Sequence, residues 1–133
     1  MIDFWSDLNT VMDEIRGVND IKAFAIVRRD GVIVAHSLGS EVEPKVIAAT
    51  TAAILATAEL ATEQLRQGRF LRTIVECEHG NILITDAGEQ TLLVSLVFPD
   101  ANLGLVLHGL EKVGRKVAEV VDSTAKASSL QGF

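Results

Sequence analysis

The sequence predicts an α+β fold, an α/β sandwich in which a mainly antiparallel five-stranded sheet carries helices on both faces. Three segments repeat apolar residues at helical spacing, and three tight turns join successive strand-like segments. Tight turns favour antiparallel neighbours. The segment 23–27 is apolar at every position, which requires a covering layer on each side of the strand. The predicted order is α-β-β-α-β-β-β-α, with the central helix on one face and the terminal helices on the other.

The first half of the chain predicts a helix, a hairpin and a long helix. In order these are a helix from Asp3 to Arg16, strands from Ile21 to Arg28 and from Val32 to His36, and a helix from Pro44 to Gln67. The face of the first helix repeats every three or four residues and consists of Phe4, Trp5, Leu8, Val11, Met12 and Ile15. Asp30-Gly31 is a strong two-residue hairpin signal. Pro44 suits the first turn of a helix, and Gly68 is predicted to end it.

The second half predicts a three-stranded meander and a last helix. The three strands run from Phe70 to Glu78, from Asn81 to Thr85 and from Thr91 to Phe98. The helix runs from its cap, Asn102, to about Asp122. Charged residues on one face of the first of these strands predict an edge position or a solvent-accessible rim. The last helix has an apolar face formed by Leu103, Val106, Leu110, Val113, Val117 and Val120. Residues 1–122 are therefore expected to form a single domain, and 123–133 a frayed tail.

The central helix carries two apolar stripes instead of one. The thirteen residues from Val46 to Ala58 include no charged side chain. At 100° per residue, the stripe assigned to the protein's own core is Ile47, Thr51, Ile54, Ala58, Ala61 and Leu65. About 140° away lies a second stripe of Val46, Ala49, Ala53, Ala56 and Leu60. We interpret the run as too short and too rich in Ala and Thr to span a membrane. The second stripe therefore predicts association with another helix.

Composition excludes several classes of function. Apolar residues make up 48% of the 133-residue chain, charged residues 23%, and the net charge is −6. No cluster of basic residues is larger than the pairs Arg28-Arg29 and Arg115-Lys116, which disfavours binding to nucleic acid or to anionic membranes. The single cysteine, Cys77, agrees with a reducing compartment. The N-terminus lacks the pattern of a signal peptide, so a cytoplasmic protein is expected.

No constellation of residues indicates an enzyme. His36, His79 and His108 have no metal-ligand spacing to one another or to Cys77, which we interpret as a packed strand thiol. The segment 109–116 superficially resembles a phosphate-binding loop, but its lysine is one position late and no Ser or Thr follows it. We read that segment as helix surface, with Gly104, Gly109 and Gly114 permitting close packing. We therefore expect no catalytic residue, no metal and no cofactor.

Three segments in this order resemble the roadblock/dynein light chain family. They are the stretch 18–35, the Ala-rich central helix and the stretch 100–106, and the resemblance extends over roughly Leu8 to Val121. It implies homodimers or heterodimers whose central helices pack side by side and whose third strands pair across the dimer. It also implies a role in regulating Ras-like GTPases, or in dynein or GTPase scaffolds. The expected dimer interface is Val46, Ala49, Ala53, Ala56, Leu60, Arg72 and Ile74, and the expected partner-binding residues are Glu59, Glu63 and Arg66.

The sequence thus predicts a non-enzymatic, homodimeric protein that binds a small Ras-like GTPase and modulates its activity. The GTPase would carry the nucleotide and magnesium. Two alternatives remain: a small-molecule sensor of profilin-like or PAS-like type, and a purely structural adaptor in a larger assembly. Strands whose apolar residues fill the interior disfavour the sensor, while the sequence does not separate an adaptor from a GTPase regulator.

Overall fold

The structure, a computed structural model, describes residues 3–130, with side chains described as far as residue 122. Its elements are α1 (Phe4–Arg16), β1 (Ile21–Arg28), β2 (Ile33–Ser37), α2 (Pro44–Gln64), β3 (Arg72–Cys77), β4 (Gly80–Asp86), β5 (Thr91–Val97) and α3 (Leu103–Leu130). The predicted order of helices and strands is confirmed. The side chain of Asp3 caps α1 by accepting a hydrogen bond from the backbone N–H of Ser6, and Asn102 caps α3 in the same way through Leu105.

The five strands form one sheet in the order β2-β1-β5-β4-β3, and every neighbouring pair is antiparallel. The hairpin predicted at Asp30-Gly31 joins β1 to β2, and Gly31 adopts a positive φ of 88° that suits glycine there. β2 and β3 are the two edge strands. The edge position predicted for β3 is therefore confirmed.

A separate apolar core lies on each face of the sheet, as the doubly apolar β1 predicts. Phe24 and Ile26 of β1 point to the core shared with α1 and α3, whereas Ala25 and Val27 point to the core under α2. All four are buried. The apolar face predicted for α3 is also confirmed at its centre, where Val106, Leu110, Val113 and Val117 are buried. The central helix thus occupies one face of the sheet and the terminal helices the other.

Several details differ from the sequence predictions. Trp5 does not join the core of α1 but is 67% exposed, because it lies to the side of the buried row Leu8, Val11, Met12 and Ile15. Phe70 precedes β3 instead of belonging to it, and its ring is buried in the core under α2. The last helix does not end near Asp122 but continues to Leu130, since no Gly or Pro interrupts 115–130. Residues 131–133 of the predicted frayed tail lie outside the described residues.

The helix α2 ends earlier than predicted, and Gly68 is not its stop. The N–H of Gln67 donates to the carbonyl of Thr62, and the N–H of Arg66 donates to that of Glu63. This is the hydrogen-bond pattern of a Schellman cap, in which the residue after the cap takes a left-handed conformation. That residue is Arg66, with φ of 54°, a position that glycine usually fills. The cap directs the chain away from the helix toward Phe70.

Two glycines allow α3 to pack closely on its neighbours. A Cβ built on Gly114 would lie 3.0 Å from the carbonyl oxygen of Asp86, and one on Gly109 would lie 3.0 Å from Cγ1 of Val18. The close packing predicted for these positions is confirmed. At Gly104 a Cβ would meet only its own capping residue, Asn102, at 3.4 Å, so the prediction is wrong there.

Candidate protein-binding surfaces

The outer face of α2, formed by Val46, Ala49, Ala53, Ala56 and Leu60, is exposed along its whole length. Val46 and Leu60, at its two ends, are each 59% exposed. Between them three alanines leave a shallow, smooth strip without charge. Small side chains of this kind allow a second helix to approach closely. The second stripe predicted from the sequence is therefore uncovered by the protein's own fold.

The inner face of α2 differs in part from the predicted one. Thr51 is buried, as expected, and Ile47, Ile54 and Ala58 are half-buried. The centre of the buried row, however, is formed by Ala48 and Leu55, which are absent from the predicted core stripe. Ala61 and Leu65 were assigned to it and are exposed, because the helix is rotated toward Leu55 and its last turn extends past the sheet. The buried residues and the outer face lie about 150° apart around the helix axis.

The open edge of β3 is the second exposed surface. Its pairing with β4 sets Ile74 opposite Leu83 and Val75 opposite Ile82. Leu83 belongs to the core of α1 and α3, and Ile82 packs against the core of α2. Since paired residues share a face, Arg72, Ile74 and Glu76 lie on the side of α1 and α3, and Thr73 and Val75 on the side of α2. The predicted interface residues Arg72 and Ile74 therefore lie on the edge strand, with side chains on the face opposite α2.

A group of paired charges lies at the end of the sheet where β1 and β4 finish. The guanidinium of Arg29 lies 3.2 Å from a carboxylate oxygen of Asp86 and 3.3 Å from one of Glu59, and its Nε donates to the carbonyl of Glu89. The contact with Glu59 is an ion pair without hydrogen-bond alignment. Arg69 adds a longer contact of 3.9 Å to Asp86. This group is not visible in the sequence, because its members are far apart in the chain and form no motif.

The three predicted partner-binding residues differ in their surroundings. Glu59 is tied to Arg29 and so holds α2 to the end of the sheet. Glu63 and Arg66 are exposed at the end of α2, and neither takes part in the ion pairs found among the described side chains. The structure thus places Glu63 and Arg66 together beside the outer face and gives Glu59 a structural contact.

The histidines and the cysteine lie apart on the surface. His36, His79 and His108 are exposed on β2, in the β3–β4 turn and on α3. Cys77 is exposed at the end of β3, so the prediction of a packed thiol is wrong: an edge strand without a helix above it leaves its last side chain in solvent. The segment 109–116 lies within α3, as predicted. Among residues 3–130, no group of three or more His, Cys, Asp or Glu is arranged to hold a metal ion.

The length of α2 corrects one argument made from the sequence. With 21 residues and an 18-residue window of mean hydropathy 1.3, α2 is long and apolar enough, by length and composition, to cross a membrane, the one such helix in the described part of the chain. Contrary to the sequence prediction, the length and composition of α2 therefore do not exclude a membrane span. Its inner face, however, is built into the core: Ala48, Thr51 and Leu55 are buried against the sheet.

The fold and its surfaces define a small α+β domain with an uncovered apolar helix face and an open sheet edge. The Roadblock/LC7 domain model matches residues 7–96, which include most of α1, every element from β1 to β4, and most of β5. The chain belongs to the Roadblock/LC7 domain family. An uncharacterised protein of Methanocaldococcus jannaschii, MJ1340, is 30% identical to it over 110 residues, which cover 83% of this chain and 96% of that protein.

Solved structures extend the likeness in fold to α3, beyond the end of the family match. Myxococcus xanthus MglB has a TM-score of 0.83 at 18% identity, with 92% of each chain covered. The gliding protein MglB from Thermus thermophilus has a TM-score of 0.80 at 19% identity, covering 92% of this chain and 94% of that one. A further MglB structure, with a tetrameric arrangement, has a TM-score of 0.81 at 19% identity and covers 92% and 93%. At these identities the likeness concerns the fold.

Proposed function

We propose that this chain is a non-enzymatic homodimer that binds a small Ras-like GTPase and modulates its activity. The observation that carries the proposal is the exposed outer face of α2. A helix that supplies the core from one side and presents a continuous apolar strip on the other is unusual in a monomer, because extended exposed apolar patches mark interaction sites. A second copy of the same helix would cover the strip, since its alanines permit a close approach.

A protein partner fits the outer face better than a lipid surface. Entering a bilayer as a span would remove Leu55 and Ala48 from the core under the sheet, where they are buried. Of the charged residues of α2, Glu59 lies only about five residues past the middle of the helix, within the depth of a hydrocarbon core, where a charge is costly. Association with a second α2 leaves both the core and this charge in place.

The resemblance to the roadblock/dynein light chain family supports the dimer and its partner. That family implies central helices that pack side by side and a role with Ras-like GTPases. The tetrameric arrangement described for an MglB of similar fold supports self-association in this structural class. The GTPase that binds this chain has to be identified by experiment, because the similarity to MglB is a similarity of fold.

The mechanism we propose is a shift between conformations of the partner. The GTPase supplies the nucleotide and magnesium, and this chain binds one arrangement of its switch loops more tightly than the other. The charged groups at the end of the sheet support a structural role over a catalytic one, because Arg29, Glu59 and Asp86 are engaged with one another. The proposed contacts with the GTPase are Glu63 and Arg66, which are exposed beside the outer face. Glu59 contributes both to the fold and to the proposed contact.

The test is to combine the purified chain with the small Ras-like GTPases encoded by its source organism and to measure GTP hydrolysis and nucleotide exchange. We expect one GTPase to bind and to change its rate severalfold, and the chain alone to bind no GTP. Reversing both proposed contacts, with Glu63→Arg and Arg66→Glu, should weaken binding and leave the oligomeric state unchanged. Glu119→Arg, an exposed change on α3 across the sheet from α2, is the matched control.

Two results would contradict the proposal. GTP hydrolysis by the chain alone, lost with a mutation in it, would make it an enzyme. A dimer that binds none of these GTPases would instead be the structural adaptor that the sequence leaves open.

A further inference from the structure

A cavity of about 1060 Å³ opens between α3 and the end of the sheet at which β4 turns into β5. Its walls include one face of α3, the segment 69–72 that leads into β3, and the turn between β4 and β5. The α3 residues in the wall recur every three or four positions along about 22 Å of helix. They are Leu107, Glu111, Gly114, Arg115, Ala118 and Asp122. We call this cavity the α3 groove.

The helix and the turn touch at two glycines, which closes the α3 groove on one side. A Cβ built on Gly114 would lie 3.0 Å from the carbonyl oxygen of Asp86, and one built on Gly88 would lie 3.0 Å from a carboxylate oxygen of Asp122. On the other side Arg72, the first residue of β3, is exposed. The groove is therefore open toward the edge strand.

Some of the charges in the α3 groove already have partners within the chain. Arg29 contacts Glu59 and Asp86. Arg115 and Glu111 lie 3.8 Å apart on α3. These contacts leave little net charge for a ligand to neutralise, so the charges that remain decide what the groove can bind.

Four charged residues remain available, and the two signs lie on different walls. Arg69 and Arg72 belong to the segment that leads into β3, whereas Glu89 and Asp122 belong to the β4–β5 turn and to α3. The sheet order places β3 and β5 on opposite sides of β4. Among the described side chains, Arg69 makes only the 3.9 Å contact to Asp86, and the other three enter no ion pair. A simple anion would be attracted by one wall and repelled by the other, so the groove favours a ligand that carries both signs of charge.

The α3 groove also presents apolar side chains. Leu71 is 60% exposed, and Leu107 and Ala118 are half-buried on α3. A helix that lies in a groove is held by apolar residues three or four positions apart, while its polar flanks meet the rim. An apolar surface between walls of opposite charge fits this kind of ligand better than a small polar molecule.

We propose that the α3 groove is a further protein-binding site, which takes an amphipathic helix of a partner with acidic residues along one flank and basic residues along the other. The apolar face of that helix rests on Leu71, Leu107 and Ala118. Its carboxylates meet Arg69 and Arg72, because the planar guanidinium can hold a carboxylate with two parallel hydrogen bonds. Its basic residues meet the carboxylates of the opposite wall. None of the five residues of the outer face of α2 lines the groove, so this partner is additional to a second copy of the chain.

Three synthetic peptides with the same leucine face test the charge pattern. Each is about 15 residues long, the length of the groove in helical residues. One carries Glu on one flank and Lys on the other, the second carries Glu on both flanks, and the third carries Lys on both. Fluorescence anisotropy should show the mixed peptide binding about tenfold more tightly than either of the others. Equal binding of the mixed and all-Glu peptides, or no saturable binding of any peptide up to about 1 mM, would overturn the proposal.

Charge reversal in the chain tests where the peptide binds. Arg69→Glu, at a side chain that is 78% exposed, should weaken binding of the mixed peptide about tenfold and strengthen binding of the all-Lys peptide. Glu89→Lys, at an exposed residue of the turn, should instead strengthen binding of the all-Glu peptide. Arg69 is a cleaner choice than Arg72, which also belongs to the predicted dimer interface.

The matched controls are Lys112→Glu and Glu119→Lys, which reverse charges at exposed positions of α3 that do not line the groove. Neither should change the affinity for any of the three peptides, and circular dichroism checks that all four variants keep the fold. Equal effects of the groove variants and the controls would overturn the proposal, because the peptide would then respond to overall charge. The measurements use the chain alone, so their outcome does not depend on the GTPase of the proposed function.

Discussion

The guanidinium of Arg29, just beyond the end of β1, lies 3.3 Å from a carboxylate oxygen of Glu59 on α2, although the two residues are far apart in the sequence. Arg29 also contacts Asp86 of β4, so the same guanidinium connects α2 to β4. The far half of α2 is therefore held to the end of the sheet by charge as well as by the burial of Leu55. Reversal of the charge of Glu59 would disturb the fold as well as a partner, so Glu63 and Arg66 are the cleaner probes of binding.

Replacement of Arg29 tests this connection. Arg29→Met removes the contacts to Glu59, Asp86 and the Glu89 carbonyl, and should lower the free energy of unfolding by about 1–2 kcal/mol. Urea denaturation followed by circular dichroism measures the change. Arg28→Met is the control, because Arg28 is half-exposed and pairs with Asp30 inside the turn, so about 0.5 kcal/mol or less is expected. Equal losses for the two variants would show that the connection contributes nothing.

Two leucines of α2 distinguish its inner and outer faces. Leu55 is 2% exposed, and Leu55→Ala should lower the free energy of unfolding by about 2–4 kcal/mol through the cavity it leaves. Leu60→Ala should have much less effect on the fold and should instead weaken self-association. Thermal or chemical denaturation and the concentration dependence of the molar mass separate these effects. A large loss of fold stability with Leu60→Ala at a concentration where the chain is monomeric would contradict the assignment of faces.

The helix cap at Arg66 predicts a stabilising substitution. Arg66 has a positive φ that costs an L-amino acid about 1 kcal/mol, so Arg66→Gly should raise the free energy of unfolding by about 0.5–1 kcal/mol. Gly68→Ala should lower it by a similar amount, because Gly68 has φ of 87° with no atom within 4 Å of an added Cβ, leaving backbone strain as the cost. Chemical denaturation of both variants measures these changes in the free energy of unfolding. A loss of stability with Arg66→Gly would show that the cap is not strained.

The sequence predicts the fold well where one periodicity dominates. The continuous apolar run of β1, the Asp30-Gly31 turn and the apolar face of α3 each specify an element with little competition from long-range contacts, and the structure has them as predicted. α2 is different. Its alanines and threonines fit either stripe, so helical spacing alone could not decide that Leu55, and not Leu65, is buried. That choice depends on how the helix lies across the sheet.

The sequence predicts the candidate surfaces to different degrees, again because local patterns are visible in it and long-range contacts are not. The outer face of α2 follows from local sequence, because a second apolar stripe with no charge needs only the helix to be recognised. The ion pairs of Arg29 follow from the tertiary fold, which brings the ends of β1, β4 and α2 together. The face on which Arg72 and Ile74 lie required the pairing of β3 with β4. Sequence therefore indicates which helix face and which strand are exposed, and structure indicates which side chains each of them presents.

The most direct test of the account is the molar mass of the chain in solution, measured by light scattering across micromolar concentrations. The unmodified chain should have twice its 14.3 kDa mass. Ala53→Glu should abolish this dimer, because it buries an unpaired charge, at a cost of several kcal/mol, where two outer faces meet. Ala61→Glu is the same change at an exposed position outside the outer face and should leave the dimer intact. A chain that stays monomeric at high concentration, or a dimer unaffected by Ala53→Glu, would contradict the proposal that the outer face of α2 is the site of self-association.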